Sequence, residues 1–420
     1  MDSVVVRSGD RPIKSSSRTL AIFGGEPLFS KFVHVGRPNL PEPEKLLQRL
    51  RGVLDRKWLT NNGPEVDEFE RQVAKLAGVR NCVAMCNGTI ALQIAICAAG
   101  LSGEVILPSF TFVATAHALQ WQGIQPVFCD IDETFCLDPR EVEKRITPRT
   151  TGVIGVHLWG QACNVEALSA ICKRHNLTLL FDAAHAFGCS YKGQMIGGFG
   201  QAEVFSFHAT KFVNALEGGA VATNDDEFAQ RCRSMRNFGF SDEDLVTSLG
   251  INGKMNEFEA AMGIESLGNM DQIIVANRDN YFEYKRGLKD IPGIRLRNCD
   301  PNERNNYQYV VVEIDANAGV TRDQFHTLMH AENILARRYF YPGCHRMEPY
   351  STVYPDSGQH LPQTELACEH ILCLPTGPAL CGEDIRAICD LLRFVVLHGA
   401  EVRERWPAPE RASASRCVRP

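Results

Sequence analysis

The chain has 420 residues, 44% of them hydrophobic and 22% charged, with a formal net charge of -6. That length allows two or three domains around a sizeable core, and the absence of a sustained basic run argues against nucleic acid or an anionic membrane as a partner. No apolar stretch reaches the roughly 18 residues of a membrane span.

Residues 1–20 lack the apolar segment of a secretory signal. Arg7, Arg11, Lys14, Arg18 and Ser15-Ser16-Ser17 give a faint transit-peptide character, which Asp2 and Asp10 oppose. A disordered tail is expected there. From about residue 81 a strand–turn–helix pattern repeats. Strands are predicted over 81–85, 104–108, 126–130, 151–156 and 177–181, the last ending at Asp182. Helices are predicted over 89–99 and 111–121, with Asn164 capping another. Near-continuous apolar strands separated by helices imply an α/β domain with a mainly parallel sheet covered on both faces. After about residue 271 the texture changes to a long helix over 271–288, a strand over 307–314 and a helix over 321–332, a smaller α+β domain. The expected division is a tail to 20, a large domain over 21–275, a small domain over 276–402 and a second tail over 403–420.

The sixteen cysteines are scattered and form no CxxC pair, so no zinc ribbon, other metal site or thioredoxin-type centre is signalled. Reduced, buried thiols in a reducing compartment, the cytoplasm, are expected.

The residues that carry chemistry cluster at the ends of predicted strands. Lys211 follows an apolar strand in Phe205-Ser206-Phe207-His208-Ala209-Thr210-Lys211. A lysine in part-desolvated surroundings has a lowered pKa and becomes a good nucleophile, able to form a Schiff base with an aldehyde. Asp182 lies at the carboxyl end of a strand, where open α/β sheets bind ligands. A buried carboxylate there suits a protonated pyridine nitrogen, and a helix-capping role is the ordinary alternative. This pair is what a pyridoxal 5'-phosphate (PLP) site requires.

Cys86-Asn87-Gly88-Thr89 stands at a strand-to-helix turn. Gly88 permits close approach, and Thr89 with the helix N-terminus can cradle a phosphate, although the same residues make an ordinary turn and cap. Ser206 could add a hydroxyl. Phe112 could stack on the pyridine ring, or simply pack in the core. His185 could meet the ring hydroxyl of the cofactor, and the roles of His157 and His208 stay open. No GxGxxG follows the first strand, which argues against a nicotinamide oxidoreductase.

As a set, these stretches resemble the DegT/DnrJ/EryC1/StrS family of PLP-dependent sugar aminotransferases. The matching segments are Cys86 to Leu92, Pro108 to Thr115, His157-Leu158-Trp159-Gly160-Gln161, Asp182 to Gly188, and Phe205 to Lys211 with Glu217-Gly218-Gly219. The likeness runs from about residue 61 to 392. It implies a fold type I, aspartate aminotransferase-like architecture and a homodimer with shared active sites. It maps Lys211 to the Schiff-base lysine, Asp182 to the ring-nitrogen partner, Phe112 to the stacking position and His185 to the cofactor hydroxyl. Gly88, Thr89 and Ser206 match phosphate contacts. Asn252, with Lys254 as the alternative, matches the residue that reaches the phosphate of the neighbouring subunit. Tyr341 and His345 fall in a segment resembling the substrate side.

Relatives without the lysine include sugar dehydratases with histidine in its place, so Lys211 favours transamination. The resemblance implies transfer from L-glutamate to a nucleotide-linked keto-deoxysugar, best matched by C4 of dTDP-4-keto-6-deoxyglucose. Amination at C3, amination of an inosose, and a non-catalytic PLP-binding regulator are the alternatives. Gly343 departs from a proline common in the family, and Trp159 from a tyrosine.

Overall fold

A computed structural model describes residues 11–406. Its centre is a seven-stranded sheet in the order Asn81–Met85, Gly219–Thr223, Ala202–Ser206, Thr178–Asp182, Thr150–Val156, Glu104–Pro108, Gln125–Cys129. Six strands run parallel, and only Gly219–Thr223 is antiparallel to its neighbours. The strands are buried on both faces, as their continuous apolar runs require. Val83, Leu107, Ile154, Leu180 and Val204 pack on one side against the helices Gly88–Ala98 and Val113–Gln120. On the opposite side, Ile106, Val153 and Phe181 join one cluster while Ala84, Phe205 and Ala220 join another. Each fully buried large side chain of this kind contributes about 1.5–3 kcal/mol.

The second unit is a three-stranded antiparallel sheet, Ile294–Leu296, Val310–Ile314 and Ile371–Leu374, covered by the helices Met270–Gly287, Arg322–Ala331 and Gly382–Leu397. The predicted strand 307–314 starts only at Val310. Asn305 and Asn306 turn the chain just before it, their side-chain oxygens accepting the N–H groups of Tyr307 (2.7 Å) and Gln308 (3.0 Å).

Both chain ends differ from the expected tails. Residues 11–20 pack on the small unit rather than trailing free. The Lys14 ammonium lies 2.7 Å from the Glu332 carboxylate, Arg11 pairs with Asp384 and stacks over Phe29, and Leu20 is fully buried. The cause is Glu332, a wholly buried carboxylate that also accepts the N–H groups of Ala21 (2.8 Å) and Leu28 (2.7 Å). Such a charge is tolerated only with a full set of donors, and the N-terminal segment supplies them. Leu28, Phe29 and Val33 join the same core, so this stretch belongs physically with the small unit rather than with the large domain. At the other end, the helix Gly399–Arg405 runs through the start of the expected tail and buries Val402. The remaining tail residues, 1–10 and 407–420, lie outside the described part.

Candidate active site

The carboxyl ends of the parallel strands open onto a cleft of about 270 Å³. Asp182 and Ser206 each end a strand there. Phe112 sits just ahead of the helix Val113–Gln120 in extended conformation; the residue is 57% exposed and lines the cleft. Gly88, Thr89, His185 and Lys211 complete the floor, while Tyr309, Tyr339 and Phe340 close the small-unit side.

The turn after Asn81–Met85 is built as a cradle. The Asn87 side chain takes the Ile90 N–H at 2.8 Å and so starts the helix at Gly88. The first-turn N–H groups of Gly88 and Thr89 have no intrahelical acceptor and face an incoming anion. A Cβ on Gly88 would lie 3.2 Å from the Ser206 Cβ and 3.4 Å from its hydroxyl, so glycine keeps this space open. Gly219 is needed for a related reason, since a Cβ there would fall 2.5 Å from the Asn87 carbonyl carbon.

Electrostatics single out Lys211 and Asp182. Burial pushes the Lys211 amine down to about 8, and Asp182 opposes this only in part. The Lys211 ammonium reaches the Tyr309 hydroxyl at 3.4 Å, and the Gln308 amide holds the Lys211 loop by donating to the Thr210 carbonyl at 3.0 Å. Asp182 is 5% exposed. Its carboxyl is pushed up by burial and pulled back by the Thr115 hydroxyl, the Ala184 N–H and Lys211. Burial holds His185 well below its usual range, as a neutral ring. That ring packs 4.4 Å from Tyr309, and its buried Nδ1 has no hydrogen-bond partner among the described residues.

These features fit PLP. Gly88, Thr89 and Ser206 leave open space of a kind that suits a phosphate, Asp182 is a buried carboxylate of a kind that suits a protonated ring nitrogen, and Phe112 has an open aromatic face. The unpartnered Nδ1 of His185 awaits a polar group, and Lys211 supplies an amine of lowered basicity. The family model for DegT/DnrJ/EryC1/StrS aminotransferases matches residues 42–393. The chain belongs to this family.

It is a PLP-dependent transaminase. It is 35% identical over 374 residues to dTDP-4-amino-4,6-dideoxy-D-glucose transaminase of Shigella dysenteriae, covering 87% of this chain and 99% of the relative. The same enzyme of Escherichia coli is 36% identical over 366 residues, covering 86% and 98%. Among solved structures, that of DesI in the presence of its TDP-sugar product superposes with a TM-score of 0.89 at 48% identity, covering 93% of this chain and 99% of the other.

The structure brings Lys211, Asp182, His185, Gly88, Thr89, Ser206 and Phe112 to one cleft. It does not bring Tyr341 or His345 there. Tyr341 lines a separate groove, with the guanidinium groups of Arg338 and Arg322 4.5 and 5.2 Å from its ring. His345 is buried with both ring nitrogens engaged, Nδ1 with Ser109 Oγ and Nε2 with Glu365 Oε1, each at 2.7 Å. The aromatic residues that do reach the cleft are their neighbours Tyr339 and Phe340. Asn252 and Lys254 also lie outside the cleft of their own chain. Asn252 is exposed, and Lys254 donates to Asn237 at 2.9 Å. His157 is a core residue, bonded to Glu203 at 2.7 Å and stacked on Phe181, while His208 and Glu217 stand at the cleft wall.

Sequence reasoning missed Tyr309 and Thr115. Thr115 lay in a quoted motif, three residues after Phe112, a spacing that places both on the same side of a helix start.

Proposed function

We propose that the chain moves an amino group from L-glutamate to C4 of dTDP-4-keto-6-deoxyglucose, in deoxyaminosugar biosynthesis. The observation that carries this reading is the 48% identity with the TDP-sugar-bound DesI structure over 93% of the chain, together with the cleft that joins Lys211 to Asp182. When bound, PLP supplies an aldehyde that accepts the amino group and a ring that withdraws electrons. The protein's own residues do the rest. Gly88, Thr89 and Ser206 would hold the phosphate, Phe112 would stack on the ring and His185 would meet its hydroxyl. Asp182 keeps a proton on the ring nitrogen. Lys211 Nζ would hold the cofactor aldehyde and, as a free neutral amine, would serve as the base that moves the donor Cα proton. Its lowered basicity leaves a useful share of neutral amine near neutral pH. Both half-reactions use this one cleft in turn.

The proposal includes a cytoplasmic homodimer in which Asn252, or alternatively Lys254, reaches the phosphate bound by the partner subunit. Exposed apolar side chains around this segment support a second copy: Phe238, Leu245, Val246 and Leu249. Free cysteines in apolar surroundings agree with a reducing compartment.

The test incubates purified PLP-loaded protein with L-glutamate and a panel of nucleotide-linked 4-keto and 3-keto sugars and inososes. The expected result is bleaching of the yellow band by glutamate, then 2-oxoglutarate and a C4-aminated dTDP-sugar. A yellow protein that ignores every amino donor, or amination at C3 only, would overturn the reading.

A further inference from the structure

We propose that Thr115 is a positioning residue that holds the Asp182 carboxylate toward the ring nitrogen of PLP. The inference rests on the role of Asp182 given above and adds a second element of the fold to it. Thr115 is fully buried in the first turn of Val113–Gln120, and its hydroxyl donates to Asp182 Oδ2 at 2.8 Å. The other oxygen, Oδ1, accepts the Ala184 N–H at 3.0 Å. Two donors from separate segments therefore fix the plane of the carboxylate, and its remaining lone pairs are left for the cleft.

The Thr115 hydroxyl has one proton and three oxygens within reach. Besides Asp182, they are the Phe112 carbonyl and the Thr111 hydroxyl, each at 3.1 Å. An ionised carboxylate accepts only and makes the stronger bond, so the proton goes to Asp182. Thr111 can then donate to Thr115, giving a chain Thr111 to Thr115 to Asp182 in which each bond polarises the next. The arrangement also answers an energetic need. Burial disfavours the charge on Asp182, and the Thr115 hydroxyl is the foremost group opposing that effect. Phe112 and Thr115 share one turn, so the stacking face and the support of the ring-nitrogen partner are set by the same few residues.

The experiment compares Thr115→Val, Thr115→Ser and Asp182→Asn with the wild-type protein. It measures the PLP dissociation constant by fluorescence titration, the pH titration of the visible band of the bound cofactor, and the melting temperature of the cofactor-free forms. Valine keeps the shape and removes the donor. Loss of one bond to a charged group predicts a PLP affinity about ten- to a hundredfold weaker and a displaced pH titration, and serine should restore both. An impaired Asp182→Asn beside an unaltered Thr115→Val would overturn the role of Thr115 alone. An unaltered Asp182→Asn would overturn the reading of Asp182 beneath it. Equal impairment of the valine and serine variants, with equally lowered melting temperatures, would assign Thr115 to packing and overturn the inference.

Discussion

Replacing Lys211 by methionine should make the cofactor-free protein more stable near neutral pH, and this advantage should fade as the pH rises. Burial lowers the Lys211 amine from its ordinary 10.5 to about 8. Between those two values the unfolded chain binds more protons than the folded one, so wild-type stability climbs with pH across that window. The penalty is complete below about pH 8 and relieved as the amine loses its proton. At about 1.4 kcal/mol per pH unit the whole window is worth about 3 kcal/mol. Two effects reduce what is measured. Lys211 retains some contact with water, and methionine leaves Asp182 without a neighbouring cation. A gain of about 1–2 kcal/mol near neutral pH is therefore expected. The assay is urea unfolding of both cofactor-free proteins from about pH 7 to about 9.5, with the wild-type curve rising toward the variant at the alkaline end. A difference that stays flat over this range would refute the desolvated lysine. With Lys211 as the proposed Schiff-base residue, the same substitution should abolish the covalent hold on PLP, the expected trade of stability for chemistry.

Three further outcomes follow from individual contacts. Lys14→Met leaves the buried Glu332 carboxylate short of its cation, and urea unfolding should register a loss of about 3 kcal/mol; an unchanged midpoint would mean that the N-terminal segment is dispensable. Gly88→Ala places a methyl group against Ser206 and should weaken PLP binding about tenfold in a fluorescence titration while the melting temperature holds. His345→Ala removes the ring that joins Ser109 to Glu365, but the backbone N–H of residue 345 still donates to Ser109 and Arg346 still donates to Glu365, so the loss of stability should be about 1 kcal/mol, with the KM for the keto sugar unchanged. A raised KM at unaltered stability would return His345 to the substrate side.

Much of the site was legible because its chemistry lies where a short sequence window is informative. Asp182 and Ser206 close continuous apolar strands, Gly88 opens a helix after one, and strand and helix periodicity are local properties. What stayed hidden depends on pairing between distant segments. Strands Glu104–Pro108 and Thr178–Asp182 both flank Thr150–Val156, and that order carries the Thr115 helix to the Asp182 carboxylate; periodicity does not encode it. Tyr309 was read as one residue inside a strand, yet the asparagine turns at Asn305 and Asn306 delay the ladder to Val310 and leave its hydroxyl facing Lys211. His345 shows the converse error. It stands close in sequence to the cleft-lining Tyr339 and Phe340, but its ring is consumed by Ser109, which is 236 positions away in the chain. The N-terminal residues misled through composition, since a stretch rich in Arg, Lys and Ser reads as a solvated tail until a buried Glu332 demands a cation. For Lys14 and for His345 a polar partner far away in the chain decided the placement. A motif therefore locates reactive side chains more readily than the residues that hold them, and for Asp182 that distinction falls on Thr115.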